Sequence, residues 1–98
     1  MREFVRGAVR LHVLHHGAEG GVHGAWMAAE LAEHGYSISP GTLYPTLHRM
    51  EEEGLLRSAI EVAEGRTRPV YTITPPRRRP LRDAKRLLAE LADEVLDR

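Results

Sequence analysis

The fold class that the sequence predicts is α+β and mostly helical: a winged helix-turn-helix of three helices and a β-hairpin wing, with a C-terminal dimerisation helix. Two observations support it. Residues 39–53 have the pattern of a short helix, with Leu43, Leu47 and Met50 on one side. An arginine-rich hairpin follows this helix directly. A helix that presents small, polar and basic groups beside a basic hairpin is the arrangement of winged-helix domains, which most often bind DNA.

The first predicted helix, residues 3–16, is apolar almost all round, and only Glu3, Arg6 and Arg10 form a narrow polar stripe. Such a helix needs cover on two sides. We expect one side to face the domain core and the other to face a partner subunit.

The glycine-rich segment Gly17–Gly21 predicts a turn after this helix. The second helix is predicted over about Val22–His34, and Gly35 occupies the position where glycine commonly ends a helix. The packing candidates on this helix are Trp26, Ala29, Leu31 and Ala32.

The third helix has a start signal and an internal conflict. Ser39 is a plausible N-cap, with Pro40 at the first helical position. Pro45 conflicts with that register because an interior proline loses a hydrogen bond and clashes with the preceding turn. Either the regular helix begins nearer Thr42, or its first turn is distorted.

The wing and a fourth helix complete the predicted fold. Strands are expected over Arg57–Ala63 and Pro69–Thr74, joined by a loop of residues 64–68. The last helix is predicted over about Pro80–Asp97, and its apolar positions are spaced as in a coiled coil, which favours dimerisation. The chain is thus expected to divide into a DNA-binding domain, residues 1–75, and a dimerisation helix, residues 76–98.

Composition narrows the function. The 98 residues suffice for one domain, and the lack of cysteine excludes disulfides and thiol-ligated zinc. The net charge is zero, but residues 57–86 hold nine basic against three acidic side chains, which suits a polyanion. No apolar run is long enough for a membrane span, and no signal-peptide or catalytic motif is recognisable. We therefore expect a cytoplasmic protein that is not an enzyme, with no membrane partner and no cofactor.

A longer motif carries a family resemblance. The run from Gly41 (Gly-Thr-Leu-Tyr-Pro-x-Leu-His-Arg-Met-Glu-Glu-Glu-Gly-Leu), a Gly-Arg-x-Arg wing and Tyr-x-Ile-Thr-Pro from Tyr71 resemble the PadR family of bacterial transcriptional regulators, in its short form. The similarity extends from about Leu14 to Pro75. It implies a homodimeric winged-helix repressor, often relieved by a small aromatic or drug-like ligand.

The resemblance also bears on the prolines. Because the family tolerates a proline at position 45, we expect a distorted first turn rather than a missing helix. The proline-rich residues 75–80 depart from the family pattern, so the fourth helix is expected to begin late or to kink.

The DNA partner is expected to be a near-palindromic operator in double-stranded DNA, with the third helix in the major groove and the wing on the backbone. Two alternatives remain open within this site: Arg49 could pair with Glu52 or Glu53, and Tyr44 could merely pack. The candidate DNA-binding residues are Ser39, Thr42, Tyr44, Pro45, Thr46, Arg49, Arg66 and Arg68. The candidate dimerisation residues are Phe4, Val5, Leu11, Leu81, Ala84, Leu88, Leu91 and Val95.

Two further functions are possible. A winged-helix module could bind an acidic protein without reading DNA. A metal- or pH-responsive regulator could use His12, His15 and His16, although no acidic residue or cysteine is expected beside them to complete a site, so no metal is assigned. Trp26 most simply packs in the core or at an interface, but it could provide a stacking surface for a planar effector.

Overall fold

A computed structural model describes residues 1–96, and over these residues there are four α-helices and one two-stranded antiparallel sheet. The helices are α1 (Arg2–Glu19), α2 (Gly24–Glu33), α3 (Pro40–Glu52) and α4 (Arg78–Val95). The strands are β1 (Leu56–Ala63) and β2 (Arg66–Ile73). The predicted winged-helix arrangement of three helices and a hairpin is confirmed.

The core lies where α1, α2, α3 and the base of the hairpin meet. Its side chains are aliphatic or methionine, apart from one tyrosine, and they bury their apolar surface together in one cluster. The fully buried members include Val13, Val22, Met27, Leu31, Leu43, Leu47, Met50, Leu56 and Tyr71.

Helix α1 continues past the predicted turn, because Gly17 is a buried helical residue rather than part of a loop. A Cβ at Gly17 would lie 3.4 Å from both the Ile73 backbone nitrogen and Leu56 Cδ2. Gly17 therefore lies in the contact between α1 and the hairpin, where an added Cβ would make ordinary van der Waals contact, and the turn begins only at Gly20.

Helix α2 is shorter than predicted, since Val22 instead forms an isolated β-bridge with Tyr71. The His23 Nδ1 atom accepts the Trp26 amide at 3.4 Å and serves as the N-cap. Gly35, with a φ of 91°, ends the helix as predicted. Of the packing candidates only Leu31 is buried; Trp26, Ala29 and Ala32 are exposed, and Met27 takes the second core position.

Helix α3 begins at Pro40 and is continuous through Pro45. The missing Pro45 amide would have bonded to the carbonyl of Gly41, and Gly41 is exposed, so water can take that place. Ser39 is the N-cap by position, but its side chain forms no capping bond to the backbone. Gly54, with a φ of 79°, ends the helix in a Schellman motif, in which the Leu55 amide bonds to the Met50 carbonyl at 2.9 Å.

The wing is tighter than predicted. Its two strands pair from Leu56 with Ile73 to Ala63 with Arg66, so only Glu64 and Gly65 remain as the loop. Both have positive φ, 55° and 76°, which is the type I′ geometry that matches the twist of a hairpin. The prediction of a five-residue loop over residues 64–68 was therefore wrong.

Helix α4 begins earlier than predicted, at Arg78, after a 3-10 turn over Pro75–Arg77. Pro80 falls in the first helical turn, where an amide has no partner within the helix and its loss costs little. The predicted end of the helix, Asp97, lies outside the described residues. Over residues 1–96, no helix combines the length and apolar character needed to cross a membrane.

Candidate nucleic-acid interface

Helix α3 presents its predicted outer face to solvent. Leu43, Leu47 and Met50 are fully buried against the core. Because successive residues advance by about 100° around a helix, Thr42, Thr46 and Arg49 lie on one flank of the exposed face, and Tyr44 lies on the opposite flank. The exposed face between them carries Pro45 and His48.

The first flank faces α1. Thr42, Pro45, Thr46 and Arg49 line one recess together with two residues of α1, Arg6 and Arg10. The Thr46 hydroxyl donates to the Thr42 carbonyl oxygen at 2.9 Å, and the Ser39 hydroxyl donates to Thr42 Oγ1 at 3.3 Å. Ser39 is therefore connected to the other candidate DNA-binding residues on this flank by its hydrogen bond to Thr42.

Two acidic residues at the end of α3, Glu51 and Glu53, form hydrogen bonds with residues other than Arg49. Arg10 Nη2 lies 2.5 Å from Glu53 Oε1, and this hydrogen bond holds the pKa of the Glu53 carboxyl below its ordinary value. Glu51 accepts the Ser58 amide at 3.0 Å and the Ser58 hydroxyl at 2.8 Å. Within residues 1–96, Arg49 has no ion pair at 4 Å or less, so the predicted close pair with Glu52 or Glu53 does not form, although the charge of Arg49 also contributes to the lowered pKa of Glu53.

The second flank faces the wing. Tyr44 lines a recess with Arg66 and Arg68, and the start of α2 closes its far side. The Tyr44 ring lies directly over Gly24, where a Cβ would be only 2.4 Å from Tyr44 Cε1. Tyr44 is nevertheless 40% exposed, so it packs on one side and is open to solvent on the other.

The two wing arginines differ in environment. Arg68 Nε lies 3.2 Å from Glu61 Oε2, the residue opposite it in the hairpin. Arg66 is exposed beside the two-residue loop and, in the part of the chain described, has no ion pair. Arg66 is therefore the arginine that the wing tip presents to solvent.

The eight candidate residues thus fall into two groups, one on each side of the exposed face of α3. Arg6 and Arg10 were missed as members of the first group, although their spacing of four residues on a polar stripe was visible in the sequence. Gly24 was also missed, and nothing in the sequence relates it to Tyr44.

The apolar residues assigned to dimerisation differ in exposure. Phe4 is 64% and Leu91 51% exposed, and Val5, Leu88 and Val95 are also open. Leu11 and Ala84 are half-buried. Leu81 is only 5% exposed within a single chain, so it packs in its own subunit and has little surface left for a partner.

The histidines form a different arrangement from the one expected. His12 contacts His34 and Tyr36, with ring centroids 5.1 and 5.3 Å away, rather than His16. Burial, together with the charges of His34 and His16, lowers the pKa of His12. Trp26, 42% exposed, meets His16 edge to face at 5.0 Å.

A possible metal-ligand set does exist, contrary to expectation. Ligand atoms of His15, His16 and Glu19 all lie within 4.8 Å of one another. Glu19 was overlooked because the predicted turn at Gly17 would have removed it from the helix. His16 Nε2 also lies 3.2 Å from Glu30 Oε2 on α2.

Comparison with known proteins agrees with the winged-helix geometry. Residues 13–83 match the family described as the transcriptional regulator PadR-like family. The chain is 60% identical over 96 residues to the transcriptional regulator Rv3488 of Mycobacterium tuberculosis, covering 98% of this chain and 90% of that protein.

Solved structures are similar over nearly the whole chain. A PadR-like transcriptional regulator from Bacillus cereus superposes with a TM-score of 0.86 and 25% identity, covering 97% of this chain and 94% of that chain. A PadR family regulator from Eggerthella lenta gives a TM-score of 0.74 and 28% identity, covering 99% and 87%. The similarity therefore includes α4 as well as the winged-helix elements.

Proposed function

The chain belongs to the PadR-like family of transcriptional regulators, and from that premise we propose that it is a homodimeric repressor of a near-palindromic operator. It is a regulator and not an enzyme. The observation that carries the proposal is the placement of cationic side chains on both flanks of the exposed face of α3. Arg49 lies on one flank and Arg66 on the other, and neither forms an ion pair within residues 1–96.

In the proposed complex, α3 enters the major groove and the wing contacts the adjacent backbone. Arg49 is placed to bond a guanine edge or a phosphate, and Tyr44 has its solvent-facing side toward the same groove. Pro45 has a compact side chain, so it does not hold α3 away from the groove. Thr42 and Thr46 contribute methyl groups and hydroxyls. Arg66 supplies the contact from the wing tip.

Dimerisation is proposed through two exposed apolar strips, one on α1 and one on α4. Phe4 and Val5 begin the first strip, and Leu88, Leu91 and Val95 form the second. Exposed apolar side chains in this number on a 98-residue chain favour burial against a second copy. Residues 1–75 would then read DNA, residues 76–98 would hold the dimer, and the regulator would act in the cytoplasm.

The proposal is tested by fluorescence anisotropy with a duplex from the promoter of the protein's own gene and a scrambled duplex. Tighter binding to the promoter duplex is expected, and Arg49→Ala should abolish the preference because it removes the arginine of α3 that is proposed to bond a guanine edge. Equal binding of both duplexes at every salt concentration would refute repression at the protein's own promoter and turn the search to other operators or to the alternative, an acidic protein partner.

Relief by a small planar ligand is proposed at Trp26, whose indole is open to solvent beside His16. An effector acts only if it binds the DNA-free state more tightly. Tryptophan fluorescence has a single source here. Quenching by a planar aromatic compound that also releases the promoter duplex is the expected result, and quenching without release would exclude an effector role.

A second candidate function, metal-responsive regulation, is favoured by the set of His15, His16 and Glu19. Glu30 Oε2 lies 3.2 Å from His16 Nε2, while His16 Nδ1 lies 3.6 Å from Glu19 Oε1, and a carboxylate beside one ring nitrogen commonly orients the other nitrogen toward a metal. His15 Nε2 faces Glu19 at 3.4 Å, and the ammonium of Lys85, with its Nζ 2.7 Å from His15 Nδ1, competes with a metal cation by placing a positive charge on the same imidazole.

Titration with Zn²⁺ by calorimetry tests this candidate. Glu19→Gln should weaken binding, whereas Lys85→Met should strengthen it by removing the competing ammonium. If zinc binds equally to wild type and to Glu19→Gln, this set of ligands is not the site.

A further inference from the structure

Helix α1 brings two arginines to the side of α3. Arg6 and Arg10 are four residues apart, so their side chains lie on the same face of α1. That face looks toward α3, because both side chains line the recess that Thr42, Thr46 and Arg49 also line. Two helices therefore contribute three guanidinium groups to one open recess.

The charge of this recess is only partly balanced. Glu53 bonds to Arg10 and fixes its position at the rim. Arg6 and Arg49 form no ion pair with any residue in the described range 1–96. Three like charges converging with one counter-charge leave about two positive charges in the recess, together with the Thr42 hydroxyl, which accepts from Ser39 and can still donate. Such a donor set fits a phosphate group.

The position of the recess selects the phosphate of a nucleic-acid backbone. It borders one flank of the exposed face of α3, and the recess lined by Tyr44 and Arg66 borders the other flank. The phosphates of a duplex likewise border both sides of the groove that a recognition helix enters. If only the wing contacted the DNA backbone, the phosphates on the other side of the groove would have no contact with the protein.

We propose that Arg6 and Arg10 of α1 hold a backbone phosphate of the operator on the side of α3 opposite the wing. This inference rests on the proposed function and deepens it, since it makes α1 part of the DNA-binding surface. The phosphate contact is independent of sequence, so it sets the orientation of α3 and leaves base discrimination to other residues.

The test measures the salt dependence of binding to the promoter duplex and to its scrambled version. Each phosphate contact contributes about −0.9 to the slope of log affinity against log salt concentration. In the proposed homodimer each subunit holds one such phosphate, so Arg6→Gln/Arg10→Gln should lower the steepness by about 1.8. Affinity should then fall about twelvefold less than in wild type between 50 and 200 mM salt. Both duplexes should lose affinity by the same factor.

The matched control is Arg82→Gln, which removes an exposed arginine of α4. Its slope should equal that of wild type, and Arg6→Lys should retain most of the steepness because the charge remains. Since Arg10 also bonds to Glu53, Arg6→Gln alone provides a second variant that removes no internal bond and should still reduce the slope.

The outcomes separate this inference from the function on which it rests. Wild-type binding with an unchanged slope in both variants would overturn the α1 contact and leave the repressor proposal intact. A loss confined to the promoter duplex, with an unchanged slope, would also overturn it, because that pattern belongs to base contacts. Absence of wild-type binding to either duplex would overturn the proposed function itself.

Discussion

The contact between Gly24 and Tyr44 predicts an unusual response to the substitution Gly24→Ala. An added Cβ would lie 2.4 Å from Cε1, 2.6 Å from Cζ and 2.7 Å from the hydroxyl oxygen of Tyr44. Ordinary contact begins at 3.4 Å, so the ring must move by about 1 Å or more. Tyr44 is also a candidate DNA-binding residue, and a change in α2 would therefore displace a side chain of α3.

Two opposing effects set the magnitude. Overpacking typically costs about 1–3 kcal/mol. Because Tyr44 is 40% exposed and can swing outward, we expect the lower part of that range. Alanine is favoured over glycine in a helix by at most about 1 kcal/mol. The free energy of unfolding should therefore fall by about 1 kcal/mol in Gly24→Ala.

The sign should reverse when the ring is absent. In a Tyr44→Ala background the added methyl group meets no ring, so Gly24→Ala is expected to stabilise the protein by about 0.5 kcal/mol. Urea titrations of wild type, the two single variants and the double variant, all at the same protein concentration and followed by Trp26 fluorescence, measure this double-mutant cycle. The coupling energy should be about 1.5 kcal/mol.

A control comes from another helical glycine. A Cβ at Gly41 would meet only Ser39 Oγ, at 3.8 Å, so Gly41→Ala should not destabilise the protein. If Gly24→Ala stabilised the protein equally with and without the Tyr44 ring, the steric argument would be refuted.

Three further predictions concern stability. Leu47→Ala should lower the free energy of unfolding by about 2–5 kcal/mol in urea titration, because Leu47 is fully buried. Thr74→Val should cost about 1 kcal/mol, since the Thr74 hydroxyl donates to the Gly54 carbonyl at 2.7 Å. The lowered pKa of His12 makes the unfolded state bind more protons between that pKa and about 6.5, so stability should fall as pH drops through this window. His12→Gln should flatten that part of the profile in thermal unfolding, and an unchanged profile would contradict the assignment to His12.

The sequence alone was sufficient where structure depends on near neighbours. The spacing of Leu43, Leu47 and Met50 predicted the buried face of α3, and Gly35 predicted the end of α2. The hairpin was also recognisable, although its loop was overestimated, because a Glu-Gly pair can form a two-residue turn that its strands continue into.

The tertiary structure decided everything that depends on which elements meet. Gly17 is buried because the hairpin packs against this part of α1, and Gly24 is a glycine position because Tyr44 of another helix covers it. In the same way, the crossing of α1 and α3 places Arg6 and Arg10 beside Arg49. Helical periodicity gives the direction of a side chain around its own axis, but the group that the side chain meets depends on packing between residues far apart in sequence.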